Sequence, residues 1–340
     1  KQNKSVVEHA IKMGLACHAE ISRYQIFDRK NYFYPDLPKG YQVTQDRTPI
    51  CKGGFITIKT KSGIEKNIAL NRIHLEEDAG KSIHLENEKD TLLDFNRAGV
   101  PLIEIVTQPE IESSEEAALV LLEIRKLVRY LEVCDGNMEE GSLRCDANVS
   151  VKLKNSTVLG KKVEIKNMNS FNNMALAIDA EVKRQIEEYE SGNKIAQATY
   201  RFDPETQSTI LMRKKEQAED YRYFPEPDLL TIVLDDEYVE NLKNSLPELP
   251  NAKLIRYVKE YELPQTDAGL LVENIEKARL FENCIACNQC SPKIVSNWIL
   301  GDITAYLNET NKTLSETNIT AEKLSELLSL IEKGEISNAS

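Results

Sequence analysis

The sequence predicts an α+β chain, with a mixed α/β domain over residues 1–244 followed by an all-helical one over 245–340. Three observations predict this. Short β-branched runs alternate with two long helical patterns between Lys52 and Ile232, only helical periods follow Asn244, and Pro247 and Pro250 punctuate the chain where the pattern changes. A length of 340 residues suits two such domains.

The elements follow in order. A helical pattern runs over Ser5–Ser22, and strands are expected at Phe55–Lys59, Asn71–Leu75, Val100–Thr107, Leu143–Leu153, Val163–Lys166 and Thr209–Arg213. The first long helix opens at Ser113-Ser114-Glu115-Glu116, where a Ser followed three residues later by Glu can satisfy the free amides of a first turn. Ala117, Val120, Leu121, Ile124 and Leu127 then fill one face. Near the end, Leu324, Leu327, Leu328 and Ile331 repeat at helical spacing before Gly334.

Composition narrows the function classes. Apolar residues make up 41% and charged ones 29%, which argues against a disordered, collagen-like or coiled-coil chain. The longest mid-chain apolar run, Ala117 to Leu122, falls far short of the roughly 20 residues of a bilayer crossing, so no membrane span is expected. Seven cysteines, an odd number in a long chain without an apolar signal-peptide core, point to a reducing cytoplasm or organelle matrix without disulfides. The net charge is −12, and residues 231–340 carry 10 basic against 18 acidic side chains. Such a chain does not coat DNA or RNA non-specifically, so any nucleic-acid contact must be local or shared with a partner. Residue 1 is Lys and a helical pattern already runs from Ser5, so a further segment is expected upstream.

The densest chemical signal is Ser142 to Lys152. Period-two alternation sends Leu143, Cys145, Ala147, Val149 and Val151 to one face and Ser142, Arg144, Asp146, Asn148, Ser150 and Lys152 to the other. The polar face reads either as solvated or as a functional array, since Arg, Asp, Asn and Ser are short or directional groups. In Val100-Pro101-Leu102-Ile103-Glu104-Ile105-Val106 a single carboxylate interrupts an apolar strand. Burying it unpaired would cost several kcal/mol, so a buried Glu104 needs a partner, which an Arg, a Lys or a metal ion could supply, the plain alternative being an ion pair with Arg97 or Arg144. Glu76-Glu77-Asp78 offers further oxygens for a hard cation, or else forms a solvated turn. Tyr221-Arg222-Tyr223-Phe224-Pro225-Glu226-Pro227-Asp228 reads as a rigid loop whose rings either stack an unpaired base or pack in the core.

Other motifs fail on spacing. Gly80-Lys81-Ser82 lacks the first glycine of a phosphate loop, because Leu75 stands there. Cys284, Cys287 and Cys290 have ferredoxin-like spacing without a fourth cysteine, and read as reduced thiols or as a metal site. His9, His18, His74 and His84 form no nucleophile or metal spacing, so a Ser-His-Asp hydrolase is not supported.

The motifs, taken in order, resemble the B subunit of glutamyl/aspartyl-tRNA amidotransferases. The resemblance rests on Phe27 to Asp36, His74 to Lys81, Asp94-Phe95-Asn96-Arg97, Pro101 to Val106, Met138 to Asn148, Lys166-Asn167, Asn169-Ser170-Phe171 and Asp220 to Asp228. It runs from about residue 10 to the end and weakens after 245. It implies a cradle-like mixed-sheet kinase domain, then a helical domain. It also implies truncation at both ends, because the family's opening strand with its metal-site motif, the zinc cysteines of some members, and the tail domain are not in this sequence. The implied reaction is ATP-dependent phosphorylation of the side-chain carboxylate of mischarged Glu-tRNA(Gln) or Asp-tRNA(Asn). Amidation follows, with ammonia from a partner amidase (A) subunit in a complex that also holds a small C subunit. ATP and Mg2+ are the implied cofactors, with Glu77 and Glu104 as metal ligands and Glu76 as the fallback. Arg144, Asp146 and Lys30 join the carboxylates as catalytic residues, Arg144, Asn148 and Lys166 line the nucleotide pocket, and Tyr221, Arg222 and Tyr223 meet the tRNA. Lys30 and Tyr32 resemble ammonia-channel or entrance residues. The alternatives are a non-catalytic tRNA-docking subunit, whose carboxylates only form ion pairs, and a kinase of a small free amino acid.

Overall fold

A computed structural model describes residues 2–85, 90–214, 221–287 and 290–337. The chain divides into two compact units, Lys1–Leu246 and Pro247–Ser340.

The first unit mixes strands and helices around one long strand, Glu65–Glu77, in a five-stranded antiparallel sheet. This strand pairs with Phe55–Lys59, Cys51–Lys52 and Pro101–Thr107, and Glu20–Ile21 adds to Cys51–Lys52. Ile68 and Leu70, and beyond a register shift at Asn71 Ile73 and Leu75, bury their side chains, which locks the register on each side of the shift because a one-residue slip would turn them outward. A second sheet of four strands runs Ala147–Val149, Val163–Lys166, Ala198–Asp203, Ser208–Lys214. Its central pair is parallel, a pairing that needs a crossover, and the helix Phe171–Glu190 supplies it. Ile165, Phe202, Met174 and Ala177 share a core there with Ala117 and Leu121 of the helix Ser114–Tyr130. A third sheet sets Asp28–Asn31 between Tyr41–Thr44 and Phe224–Pro225, which returns the chain after Tyr221 to the residues around Lys30.

The second unit is built on the helices Pro250–Glu260, Gln265–Glu273, Ile275–Ala286, Pro292–Trp298, Thr304–Thr310 and Ala321–Glu332, with no strand among its described residues. Proline opens two of them, at Pro250 and Pro292, where its missing N–H costs nothing. Tyr257, Leu271, Phe281, Ile299 and Leu328 form its core. Cys284 and Cys290 donate their thiols to the carbonyls of Ala321 (3.6 Å) and Ser325 (3.2 Å), and so tie the helices together. No helix among the described residues is long and apolar enough to cross a membrane.

Several local expectations change in the fold. The first helix is Lys4–Ala16, not Ser5–Ser22: His18 takes a left-handed φ of 57°, and Glu20–Ile21 leaves as a strand on Cys51–Lys52. A long-range pairing that helical spacing does not encode wins there. Of Leu143–Leu153 only Ala147–Val149 is strand, because the partner Val163–Lys166 is itself short, although the in-and-out alternation persists from Ser142 to Val149. Val128 rather than Leu127 completes the buried face of Ser114–Tyr130, and Leu327 is exposed beside the buried Leu324 and Leu328.

The Ser113 cap is half of the expected box. Its hydroxyl accepts the Glu116 N–H at 3.1 Å, while the Glu116 carboxylate turns to the Glu112 amide (2.8 Å) and Lys66 (3.0 Å). Ser113→Ala is therefore expected to destabilise the first unit by about 1 kcal/mol, the usual worth of an N-cap. Urea denaturation would read this as a lower midpoint at constant slope.

Candidate functional site

Alternation along Glu65–Glu77 turns Arg72, His74 and Glu76 to one face and Ile73, Leu75 and Glu77 to the other. The antiparallel neighbour then sets Glu104 opposite His74. His74 Nε2 lies 3.6 Å from a Glu76 oxygen and 3.7 Å from a Glu104 oxygen, and one ligand atom of each residue falls within 4.8 Å of the others. The imidazole is buried, and its Nδ1 has no hydrogen-bond partner among the described residues. Burial pushes the Glu76 carboxyl up, but the His74 hydrogen bond and the charges of His74 and Lys30 outweigh it and hold the group below its ordinary value. Glu104 is raised, by burial first and then by the charge of Glu76. Such a divergence is the behaviour of two carboxylates in one site. Two convergent carboxylates fit a hard cation such as Mg2+, and the imidazole extends the donor set to Mn2+ or Zn2+.

These contacts revise the residues singled out from sequence. Glu77, the expected partner of Glu104, is not in the cluster. On the opposite face its carboxylate accepts the Val43 N–H at 2.8 Å and pairs with Lys39. Glu76 stands beside Glu104 instead, because adjacent strand residues cannot face the same way. Glu104 is not an apolar burial either, with 48% of its side chain exposed. Neither Arg97 nor Arg144 pairs with it: Arg97 Nε (3.1 Å) and Arg144 Nη2 (2.8 Å) both bind Asp78 Oδ2. Glu76 and Glu77 end a strand and Asp78 is buried, so this acidic run is no solvated turn.

The third sheet carries the aromatic groups to the same region. Lys30 Nζ sits 4.8 Å from the Tyr221 ring centroid and 5.7 Å from that of Tyr32. Tyr221 meets Tyr32 and Tyr223 edge to face, at 6.1 and 5.8 Å. Between Tyr221 and Tyr223, Arg222 adopts a φ of 45°, and the Asn31 side-chain amide donates to the carbonyls of Tyr221 (3.1 Å) and Arg222 (2.8 Å). Asp220, the first residue of that motif, lies outside the described residues. Burial and then nearby acids push the hydroxyls of Tyr32 and Tyr223 up to about 12, with Glu76 among the acids acting on both. On the four-stranded sheet, Lys166 pairs with Asp146 at 2.6 Å and Glu164 at 3.4 Å, and Asn148 is exposed opposite Glu164. Burial lowers the Lys166 ammonium, but those two carboxylates prevail and raise it.

His74 is the member that sequence reasoning missed. Its signal was present, because the alternation that buries Ile73 and Leu75 places His74 with Arg72 and Glu76.

The return strand is anchored by Arg29, which binds Glu226 through Nε (2.7 Å) and Nη2 (2.8 Å). The Arg29 hydrogen bonds hold the Glu226 carboxyl below its ordinary value. The folded state therefore binds that proton less readily than the unfolded chain, and the pair stabilises above the unfolded carboxylate pKa of about 4.3. That contribution is lost as pH falls through the lower folded value. Melting curves against pH should show a smaller loss on acidification for Glu226→Gln than for the wild type, from a lower starting Tm.

The family model described as "GatB/GatE catalytic domain" matches residues 1–240, and that described as "GatB domain" matches 279–340. The chain is 49% identical over 336 residues to the B subunit of the aspartyl/glutamyl-tRNA(Asn/Gln) amidotransferase of Clostridium tetani, covering 99% of this chain and 70% of that protein. The corresponding protein of Thermodesulfovibrio yellowstonii is 49% identical over 334 residues, 98% of this chain and 70% of the relative. For Rickettsia typhi the figures are 49% over 335 residues, 98% and 69%. The chain belongs to the GatB family, the B subunits of aspartyl/glutamyl-tRNA(Asn/Gln) amidotransferase.

Proposed function

We propose that this chain activates and amidates the side-chain carboxylate of mischarged Glu-tRNA(Gln), Asp-tRNA(Asn) or both, as the B subunit of a cytoplasmic complex with an amidase (A) subunit and a small C subunit. The observation that carries this reading is the convergence of His74, Glu76 and Glu104 beside Lys30 and the tyrosines, in a chain of this family. A carboxylate does not accept ammonia directly, because its oxygen is a poor leaving group. Transfer of the γ-phosphoryl group of ATP to that oxygen gives an acyl phosphate and ADP, and attack by ammonia gives the amide and inorganic phosphate. Phosphoryl transfer needs positioning and charge neutralisation above all.

Within the proposed cradle, Glu76 and Glu104, with His74, are the residues that would hold Mg2+. When bound, Mg2+ supplies positive charge to phosphate oxygens. Lys30 adds a fixed cation near the carboxylates. Arg144 neutralises phosphate, Asn148 lines the pocket, and Asp146 orients Lys166 toward it. Tyr221, Arg222 and Tyr223 meet the acceptor end of the tRNA, where ring faces suit unpaired bases. Ammonia arrives from the amidase subunit past Lys30 and Tyr32.

The test is reconstitution of the full-length chain with both partner subunits, followed by phosphate release and amide formation. Both are expected to require ATP, a divalent cation and the mischarged tRNA, to stop on chelation, and to be absent with free glutamate. Tight tRNA binding without phosphate release would instead establish a docking subunit.

A further inference from the structure

The polar array that begins at Ser142 runs past the last strand residue, Val149, into the connection that leads to Val163–Lys166. From Val149 to Val163 this stretch holds four lysines, Lys152, Lys154, Lys161 and Lys162, and no aspartate or glutamate, in a chain whose net charge is −12. All four are exposed, and none forms an ion pair among the described residues. Lys166, on the adjoining strand, is the contrast, since Asp146 and Glu164 hold it. Leu153 and Val158 stand out between the lysines, 84% and 75% exposed.

The connection is shaped by its own bonds. The Gln185 side chain donates to the Val149 carbonyl at 3.0 Å and accepts the Val151 N–H at 3.1 Å, which fixes the point of departure. Further out, the Ser156 N–H donates to the Leu153 carbonyl at 2.9 Å, and the Ser156 hydroxyl accepts the Val158 N–H (3.0 Å) and donates to the Val158 carbonyl (3.2 Å). Gly160 brings the returning chain against Val151, where a Cβ would fall 2.2 Å from the Val151 carbonyl oxygen and 3.3 Å from the Tyr189 hydroxyl. Of the two acidic residues before Tyr189, Glu187 pairs with Lys183 at 4.0 Å and Glu188 accepts from Asn193 at 2.8 Å. The four ammonium groups therefore stand on a pre-shaped turn, and a ligand that binds them orders little backbone.

An uncompensated cluster of ammonium groups attracts a polyanion. Lysine is a point charge on a flexible stem and not a planar fork, which suits a run of diester phosphates better than one fixed terminal phosphate. Apolar side chains among the charges suit the wide, shallow minor groove of an A-form helix, which displays its riboses. The connection leaves the sheet beyond the Val149–Val163 pair, whereas Asp146 and Lys166 flank the opposite end, at Ala147–Ile165. Three residue rises, about 10 Å, lie between Asp146 and Val149, so the lysines are apart from the residues assigned to the nucleotide.

We propose that the connection over 150–162 is a docking surface for the sugar-phosphate backbone of a duplex arm of the substrate tRNA, read by charge and groove shape and not by base sequence. The inference rests on the tRNA-dependent reading above and adds to it a contact distinct from Tyr221, Arg222 and Tyr223. It is also the local kind of contact that an acidic chain allows.

The experiment measures the affinity of mischarged tRNA for the full-length chain in its complex over a range of salt concentrations. The double variants Lys152→Gln with Lys154→Gln, and Lys161→Gln with Lys162→Gln, are each expected to weaken tRNA about tenfold near physiological salt. Each should also lower the slope of log affinity against log salt by roughly 1–2, the loss of one or two phosphate contacts. Discrimination against a non-cognate tRNA should stay the same, because backbone contacts carry no base sequence. The KM for tRNA should rise while the KM for ATP and phosphate release at saturating tRNA hold. Arg at all four positions restores the charge and is expected to keep the affinity within about twofold of the wild type, which a damaged fold would not do. Unchanged tRNA affinity and salt slope in both double variants overturns the surface. A loss that appears only because the complex no longer assembles overturns it as well, and makes the connection an interface for an acidic face of a partner subunit. If the variants weaken tRNA binding to a complex that releases no phosphate, the surface stands and the ATP-dependent reading falls. If they leave tRNA binding untouched in a complex that turns over, the surface alone falls.

Discussion

Glu104→Gln is expected to lower phosphate release dependent on mischarged tRNA by about 100-fold or more, the scale seen when one preorganised charge-stabilising group is removed. Assembly of the complex and tRNA affinity should be unchanged. The reason is local. Glu104 shares a site with Glu76 and His74, its side chain is about half exposed at 48%, and its backbone stays in the ladder opposite His74 whatever the side-chain charge. Gln keeps the shape and removes the charge, so the loss falls on the chemistry and not on the fold. Glu77→Gln is the contrast. Its carboxylate faces the other way, onto Lys39 and the Val43 amide, and its replacement should cost turnover far less. Equal losses in the two variants would show that both act through structure. Retained turnover in Glu104→Gln would make this carboxylate a structural group.

The second large effect is on stability. Glu181 is fully buried on the helix Phe171–Glu190 and accepts two hydrogen bonds from Arg184 (2.9 and 2.6 Å), one from Gln185 (2.8 Å) and one from Thr209 (3.0 Å). Gln185 in turn donates to the Val149 carbonyl at 3.0 Å and accepts the Val151 N–H at 3.1 Å, so the network ties the crossover helix to both outer strands of its sheet. Glu181→Ala strands Arg184 and removes the Gln185 and Thr209 contacts at once, and is expected to cost about 3–5 kcal/mol. Denaturant melts should show it as a large drop in midpoint. Glu181→Gln, which keeps the acceptor oxygen, should cost less. A loss below about 1 kcal/mol for the alanine variant would mean that the charge is already repaid elsewhere.

How much of this was legible beforehand can be read from single elements. Phe55–Lys59 and Val163–Lys166 are strands over the residues their β-branched runs mark, and Ser113 caps a helix as its side chain dictates, because these are local choices of backbone and hydrogen bond. The polar alternation from Ser142 to Asn148 also survives, although most of that stretch lacks a ladder. What failed was non-local. The end of the first helix depended on a strand partner about 30 residues away, and the partner of Glu104 depended on the register between two strands.

The amino-acid sequence by itself determined the family, the mixed character of the first unit, and the short set of carboxylates, arginines and tyrosines from which a site could be made. Tertiary structure alone decided which of them meet. Side-chain parity in a strand set Glu76 and not Glu77 beside Glu104 and brought in His74, and the return of Phe224–Pro225 to Asp28–Asn31 carried the tyrosines to Lys30. Asp78 drew both arginines away from Glu104. The physical reason is that residue type is a property of one position, whereas facing and pairing follow from register and burial, which only the packed sheets set.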